Sequence, residues 1–355
     1  MRKKLVYLDQ WFLSAASLEA DKESSLTVVR IMDQLGEAVR RQLVHVVASD
    51  IHSLETSRIP ASASSDQQKL WDRINSLAMG MIGHDWSEVF QAQQRRRLLG
   101  VVKGVLDYED IGLDDPHVAQ VGTRIMSTNA WRLRLHRSVE GIGDDQIRAI
   151  LERQASRVGQ KATVEAISTF IADAWRADLV AGIQAARDRY QHDSALKQWL
   201  DAAEAGNLRP FPTFKDAAFR QVVEHVVEGL PASALAQWEE ELRGPCSGWV
   251  PALRLSVAFE AALLRRWMNA PVTSERKFPQ KHGISRRADV DHIAAYAPYV
   301  NVLVTDDQTR GLSQESPVAE VLREHTCLLV STSNLNEFEA WIGQLLCTQP
   351  EPLPD

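Results

Sequence analysis

The chain has 355 residues, 45% of them hydrophobic and 25% charged, an ordinary globular composition with enough apolar material for one large core or two smaller ones. A formal net charge of −7 excludes the overall basic footprint common in nucleic-acid binders, so any such contact has to come from local basic patches. Three widely spaced cysteines, Cys246, Cys327 and Cys347, exclude both a CxxC pair and a secreted disulfide framework, and fit a reducing, cytoplasmic setting.

The basic start MRKKLVYLD is interrupted by Asp9 and Gln10 before it reaches the length of a signal-peptide core, and no run is long enough to span a membrane. Residues 4 to 8 read as a short buried strand closed by Asp9. Leu26, Val29, Met32, Leu35 and Val39 then recur at helical spacing and lead into a second strand over 43 to 49, a βαβ pattern. Ser49 or Asp50 is placed to cap a following helix that carries His52 and Glu55, and Ile59-Pro60 ends that segment.

From Asp66 to about Ala270 no convincing strand is visible, and the region reads as helical. Its clearest stripe is Val164, Ile167, Ile171, Trp175, Leu179 and Ile183, with a second run from Leu253 to Trp267. Ten tryptophans, most of them in this region, are expected to fill its core rather than stack on bases. Arg95, Arg96 and Arg97 form its densest basic run, which suits either phosphate contact or an exposed helix face. The acidic stretch 107–117 lacks the spacing of a calcium loop.

The α/β pattern then returns. A helix from Asp289, a strand over 300 to 305, a helix near 318 to 324, a strand over 327 to 331 and a helix from Asn334 to Leu346 are expected. The predicted organisation is one α/β domain with a parallel sheet, in two parts, 1–65 and 276–347. A helical insertion over 66–275 splits it, and a disordered tail covers 348–355.

Acidic residues stand just past the strand-like runs: Asp9, Glu55, and the pair Asp306 and Asp307. A parallel sheet gathers such positions at the carboxyl ends of its strands. Packed carboxylates repel unless a cation compensates them, and all-oxygen ligands suit Mg²⁺ or Mn²⁺ rather than zinc. Such ions can activate water for in-line hydrolysis of a phosphodiester. No GxxxxGK(S/T), GxGxxG or GxSxG motif offers another chemistry.

The segments LVYLDQ, SDIHSLE and ADVDHIAAYAPYVNVLVTDD resemble the PIN-domain nucleases, in a bacterial PIN-like subgroup with large helical insertions. The resemblance covers roughly residues 1 to 60 and 280 to 345. It implies a three-layer α/β/α fold and a metal-dependent nuclease, RNA ahead of DNA as substrate. It assigns Asp9, Glu55, a helix-start Asp289 or Asp291, and Asp306 or Asp307 as metal ligands, with Asp289 favoured by its distance from Thr305-Asp306-Asp307.

Just before the third acid, Arg276, Lys277, Lys281, Arg286 and Arg287 form a basic segment that is either a phosphate-binding surface or a solvated loop. His52 and His292 each lie one turn from an acid, placed to orient a carboxylate, to touch substrate, or simply to pack. Gln10 and Thr305 adjoin acids and suit hydrogen bonds to a metal-bound water. The insertion suits a lid, a substrate-selecting wall, or a surface for a regulatory protein or a second copy of the chain. Two alternatives stay open: a non-catalytic scaffold of the same fold, and another metal-dependent phosphohydrolase. The second is weakened because Asp9 is followed by Gln10-Trp11 rather than by an Asp-x-Asp pattern.

Overall fold

The computed structural model describes residues 4–18, 25–49, 52, 56–57, 59, 61–79, 81–83, 86–98, 119–121, 152–159, 162–204, 217, 219–231, 233–269 and 284–347. Its strands are β1 (Lys4–Tyr7), β2 (Val44–Val47), β3 (Met81–Gly83), β4 (Ala119–Val121), β5 (Val302–Val304) and β6 (Leu328–Val330). The helices used below are α1 (Gln10–Leu18), α2 (Leu26–Arg40), α3 (Ser64–Ala78), α4 (Trp86–Leu98), α5 (Val164–Glu204), α6 (Arg220–Val227), α7 (Ser233–Arg243), α8 (Pro251–Asn269), α9 (Ile284–Tyr296), α10 (Asp307–Ser313), α11 (Val318–Leu322) and α12 (Leu335–Cys347).

Four short apolar runs pair in parallel in the order β2-β1-β5-β6. Val6 lies opposite Val46 and Val302, and Tyr7 opposite Val47 and Leu303. Because successive side chains leave a strand on opposite faces, the alternation sorts the sheet into two cores. Leu5, Tyr7, Val47, Leu303 and Leu329 enter one core. Val6, Leu8, Val44, Val46, Val302, Val304 and Val330 enter the other.

The second core is closed by α1, α2, α3 and α12, through residues such as Phe12, Met32, Ile74 and Phe338. The first is closed by α9, α10 and α11 together with α4 to α8, through Phe90, Ile171, Trp238, Phe259 and Ile293 among others. The helical region therefore shares one continuous core with the sheet. Polar ties reinforce this: Gln93 Nε2 donates to the Tyr299 hydroxyl (2.6 Å) and its Oε1 accepts from the Ala252 amide (2.9 Å).

Helix α3 packs on α1 and β2, so the sheet's own layers run on past the boundary expected at residue 65. The region expected to lack strands contains β3 and β4, an antiparallel pair. At three residues each they are too short for alternation to show in sequence. Gly83 of β3 donates its amide to the Ala48 carbonyl (2.7 Å), seating this pair beside β2.

In α2 the buried stripe is Val28, Ile31, Met32, Leu35, Ala38 and Val39, whereas Leu26, expected inside, is 52% exposed. The first half of this helix is apolar on two stripes, and packing on α1 and α12 selects one. The stripe of α5 lies where its spacing put it, with Ile167, Ile171, Trp175, Leu179 and Ile183 buried. Trp175, Trp238 and Trp249 are core residues, and Trp86 stacks on Phe90 at 5.3 Å.

Candidate functional site

From β1 the chain leads to β2 on one side, while β5 pairs with the other side of β1. A reversal of this kind opens a crevice outside the carboxyl ends of the two central strands. Asp9 and Asp306 each follow the last residue of one of those strands, Tyr7 and Val304, by two positions.

Asp9 is half-buried, its Oδ1 accepts the Gln10 amide (2.6 Å), and its carbonyl accepts from Phe12 (3.1 Å) as α1 begins. Asp306 is the N-cap of α10: Oδ1 accepts from the amides of Gln308 (2.7 Å) and Thr309 (2.9 Å), and Oδ2 from the Thr309 hydroxyl (2.5 Å). Asp307 reaches the other way, accepting from the Thr332 hydroxyl and the Ser333 amide (3.1 Å) in the turn after β6. Partial burial pushes the Asp307 carboxyl up, but hydrogen bonds from Ser331, Thr332 and Ser333 outweigh it and hold its pKa below the ordinary value.

Asp289 was expected at a helix start and instead lies in the second turn of α9, which begins at Ile284. The nearest helix breaker before Asp289 in sequence is Gly283, just before the first described residue of the helix. Asp289, His292, Ile293 and Tyr296 fall on one stripe of this helix, while Asp291 is about 200° around from Asp289. His292, Ile293 and Tyr296 are buried, so that stripe faces the sheet.

Beneath the acids lies a buried polar and aromatic cluster centred on Tyr7. Its hydroxyl shares hydrogen bonds with His292 Nδ1 (2.9 Å) and Ser49 Oγ (3.3 Å). Its ring stacks on Tyr296 at 5.0 Å and on His52 at 5.3 Å. His52 Nδ1 accepts the Ser49 amide (3.0 Å), which leaves the ring proton on Nε2 to donate to the Leu8 carbonyl (2.6 Å).

Burial raises the Tyr7 phenol well above its ordinary pKa, and the nearby charges of Asp9 and, more weakly, Asp289 add to that. Burial lowers His52 to about 4 against the opposing effect of the Leu8 carbonyl. Burial, with His52 as neighbour, takes His292 to about 3. Both imidazoles are neutral at pH 7.

His292, expected as a substrate contact, is 7% exposed and hydrogen-bonded inside the protein, so it is a packed histidine. Arg286 and Arg287 lie in the first turn of α9 rather than in a loop, Arg286 one turn before Asp289. Arg276, Lys277, Lys281 and Glu55 lie outside the described residues, as does the stretch 107–117. Arg95 donates to the Val226 and Glu228 carbonyls, and Arg97 pairs with Glu241, so two of these three arginines brace α4 internally.

Among the described residues no group of three or more His, Cys, Asp or Glu is placed to hold a metal ion. One further oxygen is relevant to a cation. Gln10 is 9% exposed, its Nε2 donates to Thr56 Oγ1 (3.1 Å), and its Oε1 is buried without a hydrogen-bond donor. A buried carbonyl oxygen beside Asp9 is a donor type that hard cations, or water bound to them, accept. The carboxylates of Asp9 and Asp289 and the amide oxygen of Gln10 are oxygen donors, the type that Mg²⁺ or Mn²⁺ would take.

Sequence reading missed Tyr7 and Thr56. Tyr7 had a usable signal, since a phenol within an otherwise aliphatic strand needs a buried partner for its hydroxyl. Among the described residues no helix is long and apolar enough to cross a membrane. Comparison with family models, with curated proteins and with solved structures gave no match to this chain.

Proposed function

We propose that the chain is a PIN-like, metal-dependent nuclease that hydrolyses phosphodiester bonds at the crevice between the carboxyl ends of β1 and β5, with RNA ahead of DNA as substrate. The observation that carries this reading is the 2.9 Å hydrogen bond between Tyr7 and His292, which joins the strand two residues before Asp9 to the helix that bears Asp289 one turn before His292.

In this reading Asp9 and Asp289 hold Mg²⁺ or Mn²⁺ with Glu55, and Asp306 or Asp307 completes the rim. Asp289 is preferred to Asp291 because it shares the sheet-facing stripe of α9 with His292 and Tyr296. Bound metal would lower the pKa of a water and offset charge on the departing oxygen. Gln10 Oε1 would accept from that water or bind the ion, held in place by Thr56. Arg286 and Arg287, in the turn before Asp289, would take backbone phosphates.

A second reading, a non-catalytic scaffold of the same fold, gains support from Asp306 and Asp307. Their carboxylates are already engaged by a helix start and by the turn after β6.

Cleavage of labelled single- and double-stranded RNA and DNA with Mn²⁺ and with Mg²⁺ separates the two readings. The wild type should cut and Asp9→Asn should not. Binding of nucleic acid without metal-dependent cutting would favour the scaffold, and equal cutting by both proteins would refute the assignment of Asp9.

A further inference from the structure

Three elements meet at the Tyr7 hydroxyl. β1 carries Tyr7 and, two residues on, Asp9. α9 carries His292 and, one turn earlier on the same stripe, Asp289. Ser49 follows β2. The 2.9 Å bond from Tyr7 to His292 is thus a polar link between the strand that leads to one acid and the helix that bears the other. Tyr296, a turn further along α9, stacks on Tyr7 at 5.0 Å and on His292 at 5.7 Å, which fixes the rotation of the helix. On the far side of Tyr7, His52 bridges the Leu8 carbonyl and the Ser49 amide, so the backbone immediately before Asp9 is held as well.

We infer that Tyr7 and His292 form a buried tie that sets the separation of Asp9 and Asp289, acting as positioning residues for a divalent cation held between those acids. The inference rests on the reading of the two acids as metal ligands. Neither Tyr7, at 3% exposure, nor His292, at 7%, is open to a ligand, so their effect passes through the acids. The bond bears on the separation because ring stacking and apolar packing, which also join the two elements here, are less directional. Aromatic stacking permits sliding, whereas a hydrogen bond to a ring nitrogen fixes direction and distance.

The test is calorimetric titration of Mn²⁺ into the full-length protein, with thermal unfolding of each variant measured alongside. Asp9→Asn and Asp289→Asn should abolish binding. Tyr7→Phe, which keeps the ring and removes the hydroxyl, should weaken Mn²⁺ binding about tenfold while the protein stays folded at the assay temperature. His292→Leu should match it, the double variant Tyr7→Phe/His292→Leu should be no weaker than either alone, and His292→Asn, which returns a polar atom near the position of Nδ1, should recover part of the loss. Wild-type affinity in Tyr7→Phe, with Asp9→Asn inactive in binding, would overturn the tie and leave the metal site standing. Losses that add in the double variant would also overturn it. Absence of Mn²⁺ binding by the wild type, or binding indifferent to Asp9→Asn, would overturn the metal reading and the tie together.

Discussion

Gly83→Ala tests how β3 is seated against the site. A methyl group at this position would stand 2.5 Å from the Tyr296 hydroxyl, 2.7 Å from Val47 Cγ1 and 2.8 Å from Tyr296 Cζ. Neither neighbour yields easily. Tyr296 is 1% exposed and stacked on Tyr7 and His292, and Val47 is a core residue of β2. Overpacking of this kind costs about 1–3 kcal/mol, offset in part by the ~0.4–1 kcal/mol that alanine contributes by restricting the unfolded chain. A net loss of about 1–2 kcal/mol follows, best read from the urea midpoint at unchanged slope. Tyr296→Phe removes the nearest atom, so the cost of Gly83→Ala should fall by at least ~0.5 kcal/mol in that background. A neutral or stabilising Gly83→Ala would refute the close approach of β3 to Tyr296.

Asp306→Ala should destabilise the protein by about 1–2 kcal/mol through loss of the α10 cap, while Asp306→Asn keeps most of it; equal costs for the two would show that charge, rather than capping, is what Asp306 supplies. His52 and His292 have folded-state pKa values near 4 and 3, both below the 6.5 of the unfolded chain. Below pH 6.5 the unfolded state therefore binds protons that the fold does not. The stability they contribute is complete above that pH and is lost as pH falls towards 4 for His52 and 3 for His292. The loss should be on the order of 2 kcal/mol per histidine by pH 5, above the range where most carboxylates titrate. Urea unfolding between pH 7 and 5 checks this, with a shallower slope expected for His52→Asn; a flat wild-type profile would refute burial of these rings.

The sheet was legible because its chemistry is local. KLVYL, LVHVVAS, VNVLVT and CLLVS are apolar runs closed by polar residues, and each became a strand or contains one. The α5 stripe was equally legible, since its apolar residues allow only one face. What failed was decided by contacts rather than by period: which of two stripes of α2 goes inside, where α9 starts, and whether three-residue segments become strands. The candidate site followed the same division. Residues 9, 306 and 307 were visible as acids after apolar runs, and Asp289 through the resemblance, but the different partners of Asp306 and Asp307 depend on how α10 starts and on the turn after β6. The histidines were noticed for their distance from acids in sequence, whereas their roles come from Tyr7, to which no spacing rule points.

The helical region also has a part in this site that its sequence does not announce. Tyr7 lies on the sheet face covered by α4 to α9, and Gln93 of α4 ties the start of α8 to Tyr299, just past the helix that carries Asp289. Burial on that face is the main cause of the shifts at Tyr7, His52 and His292. A bare four-stranded sheet would leave this cluster in water, where a hydrogen bond between two side chains contributes little net free energy. With the helices in place the same bond is dry, and breaking it leaves a buried polar group unsatisfied, at a cost of about 1–3 kcal/mol. The long segment between Glu55 and Asp289 is thus part of what makes the alignment of α9 on β1 specific.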